Sequence, residues 1–315
     1  MALPTINDVR PVNPVLTNLS IGLKNDSFIA DRIAPPVRVN QKSGTYFIYD
    51  KEYWFRRETG GERSAEAPYS RVGYGISTAT YDTVERGWEK ATGDPVVAAS
   101  QTPESLPQTD VQFLTNLMQM ETEMLVAETA FVASAWGTDN TLSGTSQWSD
   151  FNNSDPIAIA DTAIRTIRRA TGTKPNLGII GAAAWEKLKE HPLITEKYKY
   201  TQTGIMTPAL VAAAMGLDEI VVGDQVKNTA NRNATFVGAD VWTDSMTFLK
   251  TQPTPGLQVA AGAYNFHWDE AGAFPWAVQS YRDDRARSNV NRIFNHQSPA
   301  IVSAAHGYHV LDIVA

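Results

Sequence analysis

The chain has 315 residues, of which 43% are hydrophobic and 19% charged, a composition that excludes wholesale disorder and allows two ordinary domains or one large fold. Its 27 basic and 34 acidic residues give a formal net charge of −7, which excludes the basic footprint of a sequence-independent nucleic-acid-binding protein. The absence of cysteine excludes disulfides and thiolate metal sites, and no apolar run approaches the ~20 residues of a membrane span. We therefore expect neither export nor membrane insertion.

Residues 1–40 are predicted to form an extended arm. Five prolines in this segment fix φ and remove backbone donors, so a long helix does not fit. Two short apolar clusters, residues 15–18 and 28–31, are expected to dock on a surface. That surface is either a partner or the chain's own domain, and both alternatives stay open.

Residues 41–85 predict a long β-hairpin. The stretch from Tyr46 to Phe55 is rich in aromatic and β-branched side chains, which favour strands, and a charged turn with Gly60 and Gly61 separates it from a second, weaker strand at 71–81. An isolated two-stranded ribbon is marginally stable in water, so this hairpin must rest on its own core or on a neighbour. The candidate contact residues are Phe28, Asp31, Tyr46, Tyr49, Lys51, Trp54, Phe55, Arg56, Arg57, Glu58, Gly60, Gly61, Glu62 and Arg63.

Residues 109–134 predict a long amphipathic helix, the spine helix. A capping box of Thr109 and Gln112 marks its start, and a stripe that begins at Phe113 and ends at Phe131 is expected to face the core. An adjacent apolar stripe consists of Val111, Leu114, Met118, Leu125 and Val132. A second helix is predicted over 154–172, followed by alternating short strands and helices to about residue 251. From residue 262 onward short strands are predicted at 264–268, 275–281, 290–295 and 301–311.

A search for catalytic or metal-binding patterns finds no phosphate loop, nucleophile elbow or metal cluster. His306 and His309 would point to opposite faces of a strand. The oxygen-rich stretch from Asp150 to Asp155 favours turn and capping roles over calcium. Asp283 and Asp284, flanked by arginines, favour a charge network over a catalytic pair. We expect no catalytic residue, no cofactor and no metal.

Several motifs resemble those of one family. They are Leu16-Thr17-Asn18, Tyr49-Asp50-Lys51, Trp148-Ser149-Asp150, the run from Ala170 to Asn176, His191-Pro192, Lys199-Tyr200-Thr201-Gln202 and Val222-Gly223-Asp224. In this order they resemble the major capsid proteins of tailed double-stranded DNA phages, which share the Hong Kong-type capsid fold. The resemblance covers most of the chain, and its most specific part lies between residues 170 and 224.

The resemblance implies an α+β fold with an N-terminal arm (1–40), an extended β-hairpin loop (41–85) and a peripheral domain (86–154) that contains the spine helix. An α/β axial domain (155–251) follows, and C-terminal strands (252–315) complete both domains. The implied function is that of a structural, non-enzymatic subunit that self-assembles into an icosahedral or prolate shell around the phage genome. It would be made in the host bacterial cytoplasm and reside in the virion capsid.

The implied partners are copies of the chain itself, as pentamers and hexamers, together with portal and decoration proteins and weak, non-specific contact with packaged double-stranded DNA. Because the arm begins almost at Met1, assembly is expected to need a separate scaffolding protein, unless the sequence is a mature form. One alternative is the shell protein of an encapsulin-like bacterial nanocompartment. An alternative from another class is an α/β hydrolase or transferase that uses Asp283, Asp284 and His296.

Overall fold

A computed structural model of the protein describes residues 28–59, 61–66, 68–100, 106–198, 206–256, 259–269 and 274–315. Its helices are α1 (Ala30–Ile33), α2 (Lys51–Trp54), α3 (Asp94–Ala99), α4 (Leu106–Ala130), α5 (Pro156–Thr171), α6 (Ala182–Glu190), α7 (Pro192–Tyr198) and α8 (Pro208–Met215). Its strands are β1 (Pro36–Val39), β2 (Ser43–Tyr49), β3 (Ile76–Asp82), β4 (Val84–Gly93), β5 (Asp139–Thr141), β6 (Leu177–Gly181), β7 (Glu219–Gly223), β8 (Val226–Asn228), β9 (Gly238–Asp240), β10 (Met246–Leu249), β11 (Ala263–Trp268), β12 (Ala277–Asp283), β13 (Ser288–Ile301) and β14 (Gly307–Leu311).

The 14-residue strand β13 organises the first sheet, which we call the peripheral sheet. Its first part pairs with β12 on one side and β4 on the other, and its last part pairs with β11; all three pairings are antiparallel. Strand β1 extends the sheet by parallel pairing with β11. The spine helix α4 packs along β13, so this sheet and this helix form one layered unit.

The second sheet has the order β5-β14-β10-β6-β7 and is covered on both faces. On one face, Ile180, Met246 and Phe248 join a core with α5 to α8. On the other face, Leu177 and Ile179 join a core with the end of the spine helix. Burial on both faces explains why every residue of β6 is apolar or glycine.

The spine helix is confirmed as an element, but its predicted bounds, its capping box and the burial of Phe113 are wrong. It is 25 residues long and runs from Leu106 to Ala130, so Thr109 and Gln112 lie inside it and do not form an N-terminal capping box. Phe113 is 46% exposed, whereas the buried positions are Asp110, Leu114, Met118, Glu123, Val126, Ala127 and Ala130. Asp110 on this stripe pairs with Lys90 and Thr92 of the peripheral sheet, whereas Glu123 binds the arm and the Trp242 indole.

The prediction for residues 154–172 is confirmed in detail. Asp155 caps α5 by accepting a hydrogen bond of 2.9 Å from the Ala158 amide, and Gly172 ends the helix in the left-handed region with φ of 73°. Asp150 accepts hydrogen bonds from the backbone of Asn152 and Asn153, as expected for a turn. The predicted strand and helix over 177–190 are also observed.

Two strand predictions need correction, and the long strand β4 was missed. The strand predicted from Tyr46 to Phe55 ends at Tyr49, and residues 51–54 form a helical turn. The strand predicted over 301–311 is interrupted, because β13 ends at Ile301 and β14 begins at Gly307 after a 3-10 turn. The ten-residue strand β4 was not predicted, because its polar sequence lacks the apolar alternation of a half-buried strand.

The described end of the N-terminal arm folds onto the chain's own core. Ile29 and Ile33 are buried with the last turns of the spine helix, while Phe28 is half-buried and Asp31 is exposed. The amides of Ile29 and Ala30 donate to the carboxylate of Glu123, at 3.1 and 2.9 Å. The other apolar cluster, residues 15–18, lies outside the described residues.

Candidate assembly interface

The hairpin of β2 and β3, residues 43–82, is called the hairpin arm below. Its base is fixed to the peripheral sheet by aromatic stacking, because the rings of Tyr46 and Tyr81 lie 5.5 and 4.8 Å from the ring of Phe266 on β11. Thr83, which joins β3 to β4, donates its backbone amide and its hydroxyl to the Lys42 carbonyl at 3.0 and 2.8 Å. The base is therefore held in a defined direction.

The far end of the hairpin arm contains its own aromatic cluster. The ring of Tyr49 lies 6.0 Å from Trp54 and 6.3 Å from Tyr74, and Trp54 lies 6.1 Å from Tyr74. The Ser77 hydroxyl donates to the Asp50 carboxylate at 2.9 Å beside this cluster. These contacts give the exposed end local order without a hydrophobic core beneath it.

Most of the predicted contact residues lie on this exposed end. Trp54 is 52% exposed and Phe55 is 64% exposed. Tyr46 and Tyr49 are half-buried at and above the base, and Gly60 lies outside the described residues. The remaining exposed members on the arm are Lys51, Arg56, Arg57, Glu58, Gly61, Glu62 and Arg63.

The return segment of the arm carries apolar exposure that the sequence reasoning missed. Tyr69, Val72 and Tyr74 are 77%, 71% and 63% exposed, and Phe47 on β2 is 62% exposed. The sequence did carry a signal, because large apolar side chains recur at positions 69, 72 and 74 in a segment whose other residues are small or polar. Single exposed apolar side chains are ordinary on a soluble protein, but a group of this size on one hairpin is typical of an interaction surface.

The hairpin arm also touches the second sheet's layer of its own chain. The Phe55 ring lies against Gly172 at the end of α5, where an added Cβ would be 2.7 Å from the Phe55 Cζ atom. Beneath the arm lies an open cleft of about 1030 Å³, lined by residues of β2, of β11 and of the end of α5. The arm therefore bridges the cleft and does not fill it.

The candidate enzyme residues do not form a site. Asp283 accepts hydrogen bonds from the backbone of the following turn, and Arg282 binds Asp94 with two contacts of 2.5 and 2.7 Å. His296 lies eight residues along β13 from Ser288, the partner of Asp283, which is roughly 27 Å at the usual strand rise. The expected charge network is thus observed, while a shared catalytic centre is not formed.

His306 and His309 do not form a pair either. His306 lies in the 3-10 turn, whereas His309 is buried on β14 with its Nδ1 atom 2.7 Å from the Thr247 hydroxyl. Burial lowers the pKa of His309 to about 4, so its ring is neutral near pH 7. Across the described ranges, no three His, Asp or Glu side chains are placed to hold a metal ion. Among the same residues, no helix is long and apolar enough to cross a membrane.

Comparisons with known proteins decide the family. No family model matches the chain. The major capsid protein of Burkholderia phage BcepMu is 30% identical over 226 residues, which cover 70% of this chain and 71% of the relative. The chain belongs to the phage major capsid proteins. A second member, from Pseudomonas phage JBD67, is 26% identical over 76% of this chain and 77% of the relative.

Solved structures agree with the family's fold. A phage-related protein of Bordetella bronchiseptica has a TM-score of 0.72 at 22% identity, covering 96% of this chain and 98% of that one. A subunit of the mature capsid of bacteriophage PhiM1 has a TM-score of 0.58 at 13% identity, covering 93% and 89%. The SrpI encapsulin of Synechococcus elongatus has a TM-score of 0.55 at 10% identity, covering 97% and 98%. The α+β fold is therefore the Hong Kong-type capsid fold, and the role of this major capsid protein is that of a structural shell subunit.

Proposed function

We propose that this capsid protein assembles through its hairpin arm, which lies across an adjacent copy in the shell. The observation that carries the proposal is the exposed apolar group around Trp54, Tyr69 and Tyr74, on a ribbon supported at its base and by the contact of Phe55 with Gly172. A two-stranded ribbon of this kind is stabilised by packing on a further surface. The contact residues predicted from the sequence supply that surface together with the return segment.

The mixed charges of the arm support a contact between identical chains. Arg56 lies 3.6 Å from Glu58 in an ion pair, and Arg63 stacks on the Tyr69 ring at 4.5 Å. Both signs occur together, so a neighbouring copy can pair with them at the rim of an interface. Because each shell position repeats the same contact, many modest contacts sum to a durable assembly.

The proposed assembly has pentamers and hexamers of this chain, whose axial domains (155–251) surround the symmetry axes, and peripheral domains (86–154) that join them. Residues 1–40 and 41–85 act as connecting arms, and the C-terminal strands (252–315) complete both domains. A separate scaffolding protein, a portal and decoration proteins complete the particle. The subunit carries no enzymatic activity and is synthesised in the host bacterial cytoplasm. With a net charge of −7, it holds packaged DNA by confinement and weak contacts.

The family relationship favours a phage shell over a nanocompartment. The fold alone is common to phage capsids and an encapsulin, with similar TM-scores. The sequence relatives, at 26–30% identity, are both phage capsid proteins. The shell we propose therefore encloses a genome.

The proposal is tested by Trp54→Ala, with Phe113→Ala on the spine helix as a control of similar exposure, 46% against 52%. Phe113→Ala should retain the fold within about 0.5 kcal/mol, while Trp54→Ala also loses its ring contacts with Tyr49 and Tyr74 and should cost about 0.5–1.5 kcal/mol within the arm. Trp54→Ala, and deletion of residues 60–63, should reduce the yield of closed shells seen by electron microscopy and sedimentation. Normal yields of equally stable shells from both arm variants would refute the proposal.

A further inference from the structure

The surface of the peripheral sheet beneath the spine helix is polar. His267 on β11 lies directly opposite Gln297 on β13, and Asn295 lies opposite Arg86 on β4. Gln297 and Arg86 reach the helix through Thr122 and Glu121, which shows that this face of the sheet points toward it. The apolar part of the contact is a small cluster of Leu114, Met118 and Ile293, with Trp276 packed against it.

Direct hydrogen bonds satisfy part of this polar surface. The Thr122 hydroxyl and the Asn265 amide both donate to the Gln297 carbonyl oxygen, at 3.1 and 3.2 Å. Arg86 donates to Glu121 at 2.9 Å. These bonds link the helix to the sheet at the level of residues 121–122.

Five further polar atoms at this level have no hydrogen-bond partner among the described residues. They are Asn265 Oδ1, His267 Nδ1, Asn295 Oδ1, Asn295 Nδ2 and Gln297 Nε2, on side chains that are at most 3% exposed. An unsatisfied buried polar group costs about 1–3 kcal/mol, and buried polar atoms in folded proteins nearly always have a partner. Five such atoms in one patch indicate binding partners beyond the described residues.

A cavity of about 40 Å³ lies beside this patch. It is lined by Gln119, Thr122 and Glu123 of the helix and by His267 and Trp276 of the sheet region, among others. A site needs roughly 10–15 Å³ of this kind of volume to hold one water molecule, so two or three waters fit. The cavity therefore adjoins both His267 and the spine helix.

We propose that ordered water molecules fill this cavity and the adjoining seam, and bridge the spine helix to the peripheral sheet. The patch offers both donors and acceptors, as water requires, whereas a cation would need acceptors alone. Burial lowers the pKa of His267 to about 4, so its ring is neutral and carries no charge that would demand a bound anion. Water also suits the mixed geometry of three amides and one imidazole.

This polar contact with the sheet makes the packing of the spine helix different along its length. Val126, Ala127 and Ala130 pack in the apolar core, where each position is fixed by contact with its neighbours. At residues 119–123 the bridging waters can exchange partners at low cost. The helix is thus held by close apolar packing at one end and, where it crosses the sheet, by direct hydrogen bonds at residues 121–122 together with the bridging waters.

The test is a map of the full chain, as a crystal or an assembled shell, at a resolution that shows ordered water. We expect peaks 2.7–3.2 Å from His267 Nδ1 and from Gln297 Nε2, with others at Asn295. A dry cavity would overturn the proposal, as would side chains rotated to pair with one another. A peak with anomalous signal at metal–ligand distances would overturn it in favour of a cation.

His267→Phe gives a second measurement, because the larger apolar ring fills the cavity. In its map the peaks beside residue 267 should be lost while those at Asn295 remain. Peaks unchanged at both places would show that they do not depend on this cavity. If the variant does not fold, the map of the unaltered protein still decides the question.

Discussion

Glu123 ties three parts of the chain together, and its substitution is the sharpest test of the subunit's architecture. The side chain is fully buried on the spine helix and accepts hydrogen bonds from Ile29 and Ala30 of the arm and from the Trp242 indole, at 3.1, 2.9 and 2.8 Å. Burial raises the pKa of the Glu123 carboxyl, while these donors act in the opposite direction. A carboxylate is suited to this position because it only accepts hydrogen bonds.

In Glu123→Gln, an amide NH2 group replaces one of the two carboxylate oxygens. This group faces an N–H donor and cannot accept its hydrogen bond. One or two of the three donors are then left unsatisfied in a buried site, at about 1–3 kcal/mol each, so we expect a loss of about 2–4 kcal/mol. The control is Glu121→Gln, two residues away, whose ion pair with Arg86 is partly exposed and should cost about 1 kcal/mol or less.

The assay is urea unfolding of the unassembled subunit, followed by far-ultraviolet circular dichroism. Amide hydrogen exchange locates the effect, because the amides of Ile29 and Ala30 should lose protection in Glu123→Gln and keep it in Glu121→Gln. Equal free energies of unfolding for the two variants, within about 0.5 kcal/mol, would refute the assigned role of Glu123.

Two further predictions concern stability. The pKa values of His267 and His309 are both lowered to about 4 in the folded chain, so the unfolded chain binds more protons between pH 6.5 and 4. As pH falls through this window, each histidine should lower the free energy of unfolding by up to about 3 kcal/mol. Urea midpoints at pH 7 and 5 check this, and equal midpoints would contradict it. In Gly181→Ala, the new Cβ would lie 1.8 Å from the Thr243 carbonyl oxygen, so we expect the free energy of unfolding to fall by about 3 kcal/mol or more. The control is Gly61→Ala, whose new Cβ meets no atom within 4 Å and should be neutral. Thermal melts that do not separate these two variants would contradict the packing at β6.

Local signals in the sequence predict part of the second sheet's layer, although its strands β5 and β10 were not predicted. Around α5, the cap residue Asp155, the glycine at 172 and the helical spacing between them are all short-range features, and each is observed. The strand of residues 177–181 and the following helix are equally local. In these segments intrinsic preference and tertiary packing agree.

The peripheral region was harder to predict because its interactions are distant in sequence. Strand β4 is polar, since its residues Arg86 and Lys90 pair with carboxylates on the spine helix, so no apolar period identifies it. For the same reason the buried face of the helix was only partly identified: Ala127 and Phe131 are buried as expected, whereas Phe113 is exposed. Asp110 and Glu123 look like surface residues in a periodicity argument, yet both are buried with specific partners.

The hairpin arm shows both outcomes. Its aromatic composition correctly indicated an exposed, two-stranded extension. The first strand was predicted to reach Phe55, however, whereas it ends at Tyr49 and residues 51–54 form a helical turn. The stacking of Tyr46 and Tyr81 on Phe266 joins residues about 185–220 apart in sequence, so no local pattern could reveal it. The exposed Tyr69, Val72 and Tyr74 were not among the predicted contact residues, although Val72 and Tyr74 lie within the strand predicted at 71–81.

The central claim is that the hairpin arm lies on an adjacent subunit. Cryo-electron microscopy of assembled shells, at a resolution that shows side chains, tests it most directly. We predict that Trp54, Tyr69 and Tyr74 are covered by a neighbouring copy of the chain. An arm that stays over its own cleft, with Phe55 against Gly172 and these three side chains open to solvent, would contradict the claim.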